Sequence, residues 1–135
     1  MCLLIRIELH GVEPSTAAEI AEYSSSRHDL SVKATKPSKI AASFSVAEYA
    51  EGCACSLLAD DADWNAPAWS FRPDVLPKLA NVVRALLSRA RGQVVLEALW
   101  IGNDADRTER VTTRQLLATI DAGSLGTKTR YVISR

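Results

Sequence analysis

A chain of 135 residues and 14.7 kDa falls in the range of about 100 to 150 residues common for compact domains and predicts one domain over 1–135. With 47% hydrophobic and 24% charged residues it has ample material for a packed core, which excludes wholesale disorder and collagen-like repeats. Sixteen Lys and Arg balance sixteen Asp and Glu, so no global positive field draws the chain to nucleic acid, which is not an expected partner.

The charges are unevenly placed: 1–63 carry five basic against ten acidic residues, and 64–135 carry eleven against six. If the two halves interleave in one domain, the signs mix in space. The longest strongly apolar run, Val94 to Ile101, is interrupted by Glu97 and falls far short of the roughly 20 residues that cross a bilayer. Met1-Cys2-Leu3-Leu4-Ile5-Arg6 shows no basic leader before its apolar residues, so the expectation is a cytoplasmic protein with no membrane partner.

Cys2 to Leu9 alternates, with Leu3, Ile5, Ile7 and Leu9 on one side and Cys2, Leu4, Arg6 and Glu8 on the other, which predicts a strand with one buried face. Gly11 and Pro14 break it. Thr16 and Glu19 have capping-box spacing ahead of a short helix to about Tyr23, and Ser24-Ser25-Ser26 is expected to close that helix because serines compete for backbone hydrogen bonds. Leu30 to Thr35 reads as a weaker strand, Lys36-Pro37-Ser38 as its turn, and Ile40 to Val46 as a third strand with Ile40, Ala42, Phe44 and Val46 facing the core. Gly52 punctuates before a β-like run from Cys53 to Leu58.

The segment from Ala59 to Pro73 follows no period and reads as a long ordered loop. Asp74 then caps a helix with Pro77 in its first turn, and Val75, Leu79, Val82, Val83, Leu86 and Leu87 form one apolar stripe that ends at Gly92. Val94 to Ile101 reads as a central strand, and Gly102 to Arg110 as a charged excursion. Thr112 and Gln115 form a capping box, Val111 and Leu116 a hydrophobic staple, and the helix they start runs to about Ala122 before Gly123. Thr127 to Ser134 alternates as a last strand. These elements predict an α+β two-layer sandwich, a mainly antiparallel sheet with helices on one face, and suggest a ferredoxin-like core with an added helix and strand.

Cys2, Cys53 and Cys55 are odd in number in a chain without an export signal, which predicts reduced thiols. Cys53-Ala54-Cys55 could start a soft-metal site, but His10 and His28 are badly spaced to complete one, so the cysteines read as small hydrophobes and no metal or cofactor is expected.

Two features carry chemistry. Glu97 sits in an apolar strand and must be paired, neutral or aimed at water. Arg6 and Glu8 on the first strand, with Lys128 and Arg130 on the last, can share an uncovered sheet face with it. The Asp60 to Arg72 loop gathers Asp60, Asp61, Asp63, Trp64, Trp69 and Arg72. An exposed indole there would stack on a sugar, base or peptide side chain, and the carboxylates would accept hydrogen bonds. No phosphate loop or Gly-x-Ser-x-Gly elbow is present in the sequence. The expected function is therefore a non-catalytic binding or interaction module for an unknown protein or small polar ligand, through this loop and the open face. The alternatives are a small enzyme working in a cleft at Glu97 and the loop, and a structural homo-oligomer, with a homodimer as its simplest form.

Overall fold

Leu3, Ile5, Ile7 and Leu9 are each 1% exposed or less while their neighbours reach water, and this alternation sets strand β1 (Leu3–His10) with one face on the core. The computed structural model describes residues 2–35, 41–50, 53–63 and 66–134. Within them follow α1 (Ala17–His28), β2 (Ser31–Ala34), β3 (Ala41–Ala47), α2 (Val75–Arg89), β4 (Val94–Trp100), β5 (Arg107–Val111), α3 (Thr113–Asp121) and β6 (Thr129–Ile133). The six strands lie in the order β2-β3-β1-β4-β6-β5, with every neighbouring pair antiparallel except β5 and β6. The class is α+β, with a mostly antiparallel sheet and helices covering one face.

The helical cover follows the predicted stripe. Val75, Leu79, Val82, Val83, Leu86 and Leu87 of α2 are all buried, and they share one core with Ile5, Ile7, Phe44 and Leu96 of the sheet, Ile20 of α1 and Ile120 of α3. Burying each large side chain of this kind contributes about 1.5 to 3 kcal/mol. In α3 the capping box is complete: the Gln115 amide donates to Thr112 Oγ1 at 3.1 Å and the Thr112 amide to Gln115 Oε1 at 2.9 Å. Gly123, with φ at +65°, closes the helix as a left-handed cap.

Several elements depart from the sequence reading. Helix α1 runs on to His28 through the serines, because Ser25 Oγ accepts from the Val32 amide at 2.7 Å and donates to the Val32 carbonyl at 2.9 Å. That hydroxyl is spent on β2 and does not compete with the helix. Thr16 makes no cap hydrogen bond, since its hydroxyl donates to the Glu13 carbonyl at 2.8 Å; Asp74 likewise caps nothing and is held by Arg72. The Cys53 to Leu58 run is a short 3-10 turn over Ala54–Leu57 and not a strand. A strand that the sequence reading did not expect, β5, forms mostly inside the segment read as a charged excursion. The turn at Lys36 to Ser38, and Ile40, Gly52, Trp64 and Asn65, lie outside the described residues.

The halves of the chain do not interleave. Strands β2, β3 and β1, all from the acidic half of the sequence, lie side by side, and β4, β6 and β5 from the basic half complete the sheet. Among the described residues, no helix is long and apolar enough to cross a membrane.

Candidate functional site

Side chains alternate across a strand, so the residues between the core-facing positions of β1, β4 and β6 all project from the face that the helices leave bare. Register aligns them into one row: Lys33 opposes Ser45, Ser45 opposes Arg6, Arg6 opposes Glu97, Glu97 opposes Arg130, and Arg130 opposes Thr108. At its centre Glu97 is only 4% exposed. Arg6 Nη2 donates to Glu97 Oε1 at 2.9 Å, and Arg130 Nε donates to the same oxygen at 3.3 Å. A carboxylate stripped of water alone costs several kcal/mol, and the two guanidiniums offset that cost. Among the described residues, no buried side-chain nitrogen or oxygen lacks a hydrogen-bond partner.

The arginines are not consumed by this contact. Their side chains are 39% and 48% exposed, and each guanidinium offers five N–H donors. Glu8 stands beside Arg6 on the same face, its Oε1 3.8 Å from Arg6 Nε, so two guanidiniums meet two carboxylates, and both arginines keep further donors turned to solvent. On the same face, Ser31, Lys33, Thr35, Ser45, Ala47 and Tyr49 line a half-open groove of about 450 Å³ beside Arg6. Tyr49, 66% exposed, stands at its margin, and Leu4, 37% exposed, adds apolar surface to the open face.

The loop presents a different picture. Trp69 is 2% exposed; its Nε1 donates to the Ala98 carbonyl at 2.8 Å, and its ring meets Trp100 edge-on at 4.8 Å. It is a core side chain with no face to offer a ligand. Arg72 spans the loop's end, bonding to both Glu48 oxygens, to Asp74 and to the Ser56 carbonyl, and this guanidinium holds the Glu48 carboxyl below its ordinary range. The Trp69 amide donates to Leu125 and the Thr127 amide to Pro67, which fastens the loop against the segment before β6. Asp60, Asp61 and Asp63 are exposed. Among the described residues, no group of three or more His, Cys, Asp or Glu is arranged to hold a metal ion. Trp64, beyond the described residues, completes the predicted set.

The structure thus brings Arg6 and Glu97 together and gives Trp69 and Arg72 architectural roles. Arg130 belongs with Arg6 on equal terms, and its place follows from alternation in the last strand. Lys33 and Ser45 join the row through register between strands, which no local pattern encodes.

Comparison with known proteins finds no matching family model, no matching curated protein and no matching solved structure.

Proposed function

We propose that the protein is a non-catalytic binding module that takes a carboxylate-bearing partner, an acidic protein segment, on the open face of its sheet. The observation that carries this reading is the pair of half-exposed guanidiniums, Arg6 and Arg130, fixed by a buried carboxylate between them. Donors that are already oriented lose little freedom when an anion arrives, and planar guanidiniums suit carboxylates in two-point contact. The groove beside Arg6, with Lys33 on its wall, extends the surface along the row and gives an extended segment somewhere to lie. The same reading takes the β-α-β-β-α-β run from β1 to β4, with strand order β2-β3-β1-β4, as a ferredoxin-like unit extended by β5, α3 and β6. It places the module in the cytoplasm, where the thiols of Cys2, Cys53 and Cys55, none of them in a disulfide, remain reduced.

The test is a titration of isotope-labelled protein with a hexaglutamate peptide, followed by amide and Arg Nε chemical shifts. Shifts concentrated at Arg6, Lys33, Ser45 and Arg130 are expected. Arg6→Gln and Arg130→Gln should each weaken binding by about tenfold or more, the effect of one lost charge-assisted hydrogen bond. Shifts scattered over the surface, or an equal response to hexalysine, would sink the reading.

A further inference from the structure

Strand β1 contributes more to the open face than Arg6 alone. Alternation puts Arg6, Glu8 and His10 on the same side of the strand, and contacts link them in order. Arg6 Nε stands 3.8 Å from Glu8 Oε1, and His10 Nε2 stands 3.5 Å from Oε2 of the same carboxylate. Arg6 Nη2 in turn donates to Glu97 Oε1 at 2.9 Å, and Arg130 Nε reaches that oxygen at 3.3 Å. His10, Glu8, Arg6, Glu97 and Arg130 thus form one continuous chain of alternating basic and acidic side chains. It starts at the last residue of β1 and runs into the row that carries the binding surface.

Histidine is the member of this set whose residue type ordinarily changes charge between about pH 5 and 8. With the ring neutral, two guanidiniums stand against two carboxylates and the chain is balanced. With the ring protonated, three cations stand against two anions, and Glu8 is shared between an imidazolium and Arg6. Both changes favour an incoming carboxylate, because the face gains a positive charge and Arg6 is less engaged by Glu8. The backbone of His10 is held in place: it opposes Ala41 of β3, and its amide donates to the Gln93 carbonyl at 2.9 Å. The His10 and Glu8 side chains are only 27% and 29% exposed, which keeps part of their field from being screened by water. Of the elements packed on either side, β3 presents Ala41 and Ser43, and the chain entering β4 presents Gln93 and Val95, none of them charged. The charged residue of that entering segment, Arg91, lines a cleft with Glu13 and Glu19.

We propose, resting on the binding reading above, that His10 is a positioning residue for the acidic segment, and that its protonation tightens the hold of Arg6 and Arg130 on the partner's carboxylates. The module then takes its partner more firmly at mildly acidic pH and loosens it as the ring loses its proton. One added charge at this remove is worth about threefold in affinity at low salt, and less as salt rises. Coupling between two sites is reciprocal, so a bound acidic segment must in turn hold the proton on His10 to higher pH.

Hexaglutamate, whose side chains stay ionised in this range, is titrated into isotope-labelled protein at pH 6 and pH 8 in low salt. The wild type should bind about threefold more tightly at pH 6. His10→Gln should bind equally at both, and His10→Lys should hold the peptide at pH 8 as the wild type does at pH 6. His28→Gln, at the other histidine, and Cys53→Ser, at a thiol lowered to about 7, should keep the wild-type ratio. In the wild type itself, the His10 ring resonances should titrate at higher pH with saturating peptide than without it, a readout that needs no variant. Equal wild-type affinity at the two pH values, a ratio that survives His10→Gln, or ring resonances indifferent to bound peptide would each overturn the role of His10 and leave the binding reading standing. No binding at either pH would overturn both.

Discussion

The Trp69 indole donates to the Ala98 carbonyl at 2.8 Å, at the point on β4 just past the last residue that β6 reaches, since the β4–β6 pairing ends at Glu97 and Arg130. A side chain from the long loop thus takes over where the sheet ladder stops. Trp69→Phe keeps most of the ring and leaves that buried carbonyl without its donor, so it should cost about 1 to 3 kcal/mol. Trp69→Ala should cost about 3 to 5 kcal/mol by adding a cavity. Urea unfolding followed by circular dichroism checks both, and a Trp69→Phe variant as stable as the wild type would show the bond to be idle.

Arg6 and Glu97 should be energetically coupled. A double-mutant cycle with Arg6→Gln and Glu97→Gln is expected to give a coupling of about 1 kcal/mol, modest because the arginine end is half in water. The coupling should shrink as salt rises from 0.05 to 0.5 M, about a threefold fall in screening length. A cycle that closes at zero would mean that the pair contributes geometry without stability.

Glu48 should make stability depend on acid. Its carboxyl sits below the ordinary 4.5 because Arg72 hydrogen-bonds to its charged form. The folded protein therefore takes up that proton less readily than the unfolded chain. The stabilising contribution is complete above about pH 4.5 and is lost as pH falls from there through the folded value. Denaturation midpoints measured from pH 3 to 7 should fall on the acid side, and Glu48→Gln should flatten that fall. An unchanged acid limb in the variant would exclude Glu48 as a source of it.

Cys53 should react with iodoacetamide in step with its thiolate. The rate is expected to be half-maximal near pH 7, following the lowered value set chiefly by the Cys55 thiol. Cys55→Ala removes that donor and should move the midpoint upward. Site-resolved alkylation rates between pH 5 and 9 provide the check, with Cys2 lagging because its own value is raised.

Gly126 should not tolerate a side chain. A Cβ there would stand 2.5 Å from Thr129 Oγ1 and 3.2 Å from the Tyr131 hydroxyl, and that hydroxyl accepts from the Gly126 amide at 2.8 Å. Gly126→Ala should cost about 1 to 3 kcal/mol through overpacking, read as a lowered melting temperature.

How far the letters reached depends on whether each signal is local. The alternation of Leu3 to Leu9 and the α2 stripe were legible because burial imposes a period on one element at a time. The Thr112–Gln115 box was legible because both partners sit three residues apart. Strand β5 was not, because Arg107 to Val111 is an edge strand with no buried residue, and a segment wet on both faces has no alternation to show. The length of α1 depended on Ser25 finding Val32 of β2, a tertiary partner that serine propensity does not anticipate. In the candidate site, Glu97 announced itself as a carboxylate among apolar neighbours, and its partners followed from parity. The aromatic loop misled because the Trp69 indole N–H needs an acceptor as much as its ring needs a cavity, and it found the acceptor in the Ala98 carbonyl of the sheet.

Both rims of the sheet are poor templates for another strand. On one side β2 is four residues long and carries Lys33; on the other, β5 is five long and reads Arg-Thr-Glu-Arg-Val. Short, charged borders of this kind discourage growth by backbone pairing, the route that leads to fibrils. Copies of this chain crowded together are therefore steered away from ribbon-like stacking, and whatever they join meets them broadside.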